Sequence, residues 1–119
     1  MSLPQLHKVG DIVHVDLEPI IGHEQEKRRP CITVSVPTQQ RGSTHDFGIL
    51  IVVPLTSKRK NWWTAVGIPR QVGLDKDSYA LCHQIRSIST KRVSNTSGSI
   101  GMKDLVKIRL VLTNILSLP

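Results

Sequence analysis

Apolar and polar positions alternate in short runs along most of the chain and change to a three- and four-residue spacing only near its end. That pattern predicts several half-buried strands followed by one amphipathic helix. Residues 12–17 set Val13, Val15 and Leu17 against Ile12, His14 and Asp16, a strand whose valine side faces a core. Residues 31–36 are rich in β-branched side chains and alternate again, giving a second half-buried strand. Residues 47–55 are apolar almost throughout, as in a central strand covered on both faces. Pro54 lacks a ladder N–H, so this strand is expected to bulge or leave the sheet there. Residues 61–68 predict another strand, with Trp62 and Trp63 on opposite faces and one of them in the core. Residues 78–84 and 86–89 predict one more strand or a bent pair.

The intervening polar stretches, 37–46 and 91–101, have no period and read as loops. The first lies beside a basic strand end, which makes it a candidate lid or substrate-contact loop. From Met102 onward, Leu105, Ile108, Leu112, Ile115 and Leu116 form one apolar stripe, with Lys103, Asp104, Lys107 and Asn114 on the other side. Together the elements predict an α+β domain, residues 1–119, built on a curled antiparallel sheet of five to seven strands with a C-terminal helix.

Charge changes the picture from fold to partner. The chain carries a formal net charge of +7 and its nine acidic residues do not cluster, so the positive field covers the surface and favours a polyanion. Trp62, Trp63, Tyr79 and Phe47 are the whole aromatic complement, too few to read RNA by serial base stacking. Cys31 and Cys82 fall in separate predicted strands and form no CxxC pair, which points to buried thiols in a reducing compartment, with no disulfide framework and no metal site. The N-terminus has no basic-then-apolar leader, and no apolar run approaches the ~20 residues of a membrane span. A cytoplasmic protein without membrane contact is expected.

Two clusters carry candidate chemistry, each at the end of a predicted strand. Arg28 and Arg29 precede Pro30, which biases Arg29 toward extended backbone and so fixes where its forked guanidinium leaves the chain, an arrangement suited to phosphate. Thr56 and Ser57 leave the central strand immediately before Lys58 and Arg59, pairing hydroxyls with cations.

With these residues placed, the chain resembles the PemK/MazF family of toxin endoribonucleases. The resemblance rests on Gly10-Asp11-Ile12, Asp16-Leu17-x-Pro19, Gly22-His23-Glu24-Gln25 with Arg29-Pro30, Pro54-Leu55-Thr56, Gly73-Leu74-x-Lys76-Asp77-Ser78 and Gln84-Ile85-Arg86-Ser87-Ile88, in that order. It implies an SH3-like barrel, a homodimer, an acidic cognate antitoxin, and metal-independent, cofactor-free, sequence-selective cleavage of single-stranded RNA to a 2′,3′-cyclic phosphate and a 5′-hydroxyl. It further implies catalytic roles for Arg29 and Thr56 and a catalytic or substrate role for His23. Glu24 and Gln25 are expected in support, alongside Arg28, Ser57, Lys58, Arg59, Gln84 and Arg86 as substrate contacts.

The chain departs from the family at one chemically important place. His83 precedes Gln84 where many members carry an aspartate, proposed in one branch as the general base; an imidazole can move protons near neutral pH, so the departure leaves open whether His83, His23 or no side chain is the base. Two other functions compete: a barrel that binds RNA or antitoxin but has lost cleavage, and a DNA-gyrase poison of similar fold. The latter act through a C-terminal Trp-Gly-Ile tail, whereas this chain ends Leu116-Ser117-Leu118-Pro119.

Overall fold

Two separate apolar cores, one on each side of the same strands, decide the architecture. The structure, a computed structural model, describes residues 7–17, 28–45 and 47–119. Strands β1 (Asp11–Asp16), β2 (Arg28–Ser35) and β3 (Ile49–Thr56) are adjacent and antiparallel. β4 (Ala65–Ile68), β5 (Ser78–Leu81), β6 (Arg86–Ser89), β7 (Val93–Ser99) and helix α1 (Met102–Ile115) follow. The strand order is β4-β5-β3-β2-β1-β7, with β6 also paired to β3, in one seven-stranded antiparallel sheet that curls without closing. This is the predicted α+β, SH3-like arrangement.

Register explains the two cores. Ile12 faces Ile32, and Ile32 faces Val53, so these three share one side of the sheet. There they pack with Leu55, Val66, Ile68, Ala80 and the buried stripe Leu105, Ile108 and Leu112 of α1. Their sequence neighbours Val13, Cys31 and Val52 point the other way and pack with Val15, Leu50 and Ile88. The apolar stripe predicted for the helix is therefore the buried one, although Met102 and Leu116 at its ends are exposed.

Both prolines sit where a missing N–H costs least. β2 starts three residues earlier than its alternation suggests, because Arg28, Arg29 and Pro30 pair with Asp16, Val15 and His14. Pro30 has a partner on that side only, since the β2–β3 register begins at Cys31. Pro54 neither bulges nor ends β3, contrary to expectation. It falls between two partners on one edge, as β6 pairing ends at Val52 and β5 pairing begins at Leu55.

Two other expectations are corrected and a third is narrowed to one of its alternatives. Residues 91–101 are not a loop throughout: Val93–Ser99 form β7 along β1, and its half-exposed edge position needs no apolar alternation. The strand expected over 61–68 begins only at Ala65, which leaves Trp62 and Trp63 before it, 49% and 66% exposed, so neither is in a core. The stretch 78–89 is the bent pair: β5 and β6 are separated by a 3₁₀ turn, Cys82–Gln84, so His83 is not on a strand. No helix among the described residues is long and apolar enough to cross a membrane.

The connector between β4 and β5 is held tightly to β7. Gly73 has φ of +89°, and a Cβ there would meet the Ser97 carbonyl oxygen at 2.6 Å. Gly73→Ala is expected to lower stability by about 1–3 kcal/mol through backbone strain and this clash. A denaturant midpoint equal to that of the unsubstituted protein would contradict the close approach.

Candidate active site

The start of β2 and the end of β3 lie side by side, which brings the two predicted clusters together. Cys31 pairs with Pro54. Arg29 lies two residues before Cys31 on β2 and Thr56 two residues after Pro54 on β3, so both flank the same end of the paired strands. Both line an open cleft of about 860 Å³, together with Ser57, Lys58 and Gln84 from the predicted set. The Thr56 hydroxyl oxygen accepts the Lys58 backbone N–H at 3.2 Å. That contact occupies a lone pair and leaves the hydroxyl proton available to an incoming oxyanion. The described lining carries four cations, Arg29, Lys58, Lys60 and Lys76, against the single carboxylate Asp75. Such a wall favours a phosphodiester backbone.

The remaining predicted residues are not all in the cleft. Arg28 pairs across the sheet with Asp16 and is exposed, and Arg59 is exposed on the turn beyond β3, neither lining the cleft. Arg86 lies opposite Val52 on β6, half-buried. His83 stands at the rim: its Nδ1 is 2.9 Å from Thr64 Oγ1, and its ring meets Trp62, a lining residue, edge-on at 5.1 Å. His23, Glu24 and Gln25 lie outside the described residues.

Residues 8–116 match the family described as PemK-like, MazF-like toxin of type II toxin–antitoxin system. The chain belongs to that family. Among curated relatives of this PemK/MazF toxin, Endoribonuclease MazF9 of Mycobacterium tuberculosis is 34% identical over 107 residues, covering 83% of this chain and 86% of the relative. Endoribonuclease toxin MazF of Escherichia coli is 30% identical over 105 residues, covering 85% and 86%. The crystal structure of MazE-MazF from Deinococcus radiodurans superposes with a TM-score of 0.76 at 25% identity, over 96% of this chain and 98% of that one.

The sequence pattern missed several cleft residues of this PemK/MazF toxin. His14 was assigned with Asp16 to the polar side of β1, yet it lines the cleft. Its hydrogen bonds fix its tautomer. The Ser97 hydroxyl donates to the Gly73 carbonyl oxygen at 2.8 Å, so it must accept the proton of His14 Nε2, 3.0 Å away. Nδ1 of His14 then has no hydrogen-bond partner among the described residues. Trp62 was also missed as a site residue, whereas Lys60 belongs to the basic run that follows Thr56 in the sequence, although it was given no role there. Asp75, Lys76 and Ser78 reach the lining because the connector folds back, with Asp77 Oδ1 accepting the Arg70 N–H at 2.8 Å.

The cysteines supply no nucleophile. Burial pushes the Cys31 thiol up to about 12, outweighing the opposing pull of the Arg29 and Arg86 charges, and pushes Cys82 up to about 11. Both thiols stay protonated near neutral pH. No group of three or more His, Cys, Asp or Glu among the described residues is placed to hold a metal ion.

Proposed function

We propose that the cleft between β2 and β3 is where this MazF-like toxin endoribonuclease cuts single-stranded RNA, by attack of a ribose 2′-hydroxyl on the adjacent phosphorus. The placement of Arg29 and Thr56 in the lining of one cleft, at the end of the paired strands β2 and β3, carries this assignment. As the O2′–P bond forms, charge grows on the non-bridging oxygens. The forked guanidinium of Arg29 and the free proton of the Thr56 hydroxyl are the donors that stabilise it. The 2′-hydroxyl proton passes to Nε2 of the His83 imidazole in the tautomer whose Nδ1–H donates to Thr64 Oγ1, 2.9 Å away. The P–O5′ bond breaks and O5′ takes a proton from solvent water, leaving a 2′,3′-cyclic phosphate and a 5′-hydroxyl. Ser57, Lys58 and Gln84 hold the substrate on either side.

The nucleophile belongs to the RNA itself, so this chemistry requires no metal-activated water. Purified protein should therefore cleave a long RNA in excess EDTA, and end mapping should find cyclic phosphates at recurring short motifs. Activity lost on chelation and restored by magnesium would sink the mechanism.

The partner chemistry follows from the charge of +7. MazF of Deinococcus radiodurans crystallises with MazE. An acidic antitoxin of that kind is proposed to cover the cleft of this chain, which acts as a homodimer in the cytoplasm. Toxin–antitoxin affinity should fall as salt rises from low to physiological strength. A titration independent of salt would contradict the electrostatic part.

A further inference from the structure

Trp62 lines the cleft, about half exposed and in contact with the His83 ring. Its indole is 49% exposed and lines the cleft beside Lys60 and Gln84. The His83 ring meets it with the two planes at 79°, and Thr64 pins His83 through Nδ1. The Lys60 ammonium rests over the indole, 4.9 Å from its centroid. An aromatic surface braced by one ring and met, among the described residues, by the end of a flexible lysine side chain has the form of a stacking platform in its empty state.

We propose that Trp62 is a nucleobase-stacking subsite, taking one unpaired base of single-stranded RNA next to the phosphate held at Arg29 and Thr56. The proposal rests on the assignment of this cleft to RNA. Stacking of a base on an indole outweighs an ammonium lying on an exposed ring in water, so an entering base displaces Lys60. The released ammonium is still on the cleft wall, where the neighbouring phosphate is a stronger partner than the ring was. Every base has a π-face, so Trp62 supplies affinity and sets register. Choice among bases falls to groups that read their edges, of which the Gln84 amide, both donor and acceptor, is one.

The chain has two tryptophans, so in a Trp63→Phe protein the emission of Trp62 reports the subsite alone. The probe is a mixed-sequence 2′-O-methyl RNA oligonucleotide, which lacks the nucleophile and cannot be cut. It should quench Trp62 saturably, whereas inorganic polyphosphate, a polyanion without bases, should not. Trp62→Leu should weaken binding of the uncleavable oligonucleotide roughly 5- to 100-fold, and Trp62→Phe should recover most of the loss. Equal quenching by polyphosphate, or undiminished binding by Trp62→Leu, overturns the subsite and leaves the cleavage assignment standing. No oligonucleotide binding by the unsubstituted protein, together with undiminished cleavage by Arg29→Ala, overturns the cleft assignment and the subsite with it.

Discussion

Arg29→Ala should cut RNA about 10²-fold more slowly than the unsubstituted protein while keeping its fold. The loss corresponds to about 3 kcal/mol in the barrier, the scale for removing one donor to a developing oxyanion. Arg29 is half-buried near the start of β2, and its side chain belongs to neither apolar core. Removing the guanidinium should therefore spare both, and thermal unfolding should show one cooperative transition close to the original. Its backbone contacts, including the carbonyl that faces the Cys31 thiol at 3.7 Å, remain in the alanine variant. Thr56→Ala should be impaired less, because it loses a neutral donor and leaves the charge in place. Turnover near the original in Arg29→Ala would move the reacting phosphate to another part of the cleft. Lys58 and Lys60 would then be the next cations to test.

The parts of this protein legible in its sequence are those whose burial leaves a periodic trace. β3 reads as an unbroken apolar run because Val52 and Val53 face different cores, and α1 keeps the spacing of Leu105, Ile108 and Leu112 because one stripe alone is buried. β7 leaves no such trace. It pairs with β1 through its backbone, and its Ser97 is kept for hydrogen bonds to His14 and Gly73. Trp62 and Trp63 misled the reading, since large apolar residues next to a strand pattern suggest core. Their exposure follows from β4 starting four residues later than expected, at Ala65.

For the site, the proline after Arg29 and the strand exit at Thr56 marked two separate clusters. Their meeting depends on the Cys31–Pro54 register, a tertiary fact with no local signature. The same holds for His14, which reaches the cleft because β1 lies beside the start of β2. The connector residues Asp75 and Lys76 reach it through a fold-back that loop composition alone does not specify.

His83→Asn should remove the acidic limb of the pH–rate profile and slow cleavage about 10²-fold, the usual contribution of a positioned base. The sign follows from the role. An imidazole accepts the 2′-hydroxyl proton only while neutral, so protonating the base should slow the unsubstituted protein. Asparagine cannot titrate there, so its profile should be flat. The Thr64 contact gives a second handle on the same residue. If Nδ1–H donates to Thr64 Oγ1, Nε2 holds the lone pair, and Thr64→Val should lower the rate by loosening the ring without abolishing the limb. His14 is the competitor, because it lines the cleft and its Nε2 is committed to Ser97, leaving Nδ1 free among the described residues. Single-turnover profiles of His83→Asn, His14→Asn and His23→Asn separate the cases. A limb that persists in His83→Asn and vanishes in His14→Asn would move the base to β1, and one that vanishes only in His23→Asn would assign it to the Gly22-His23-Glu24-Gln25 segment.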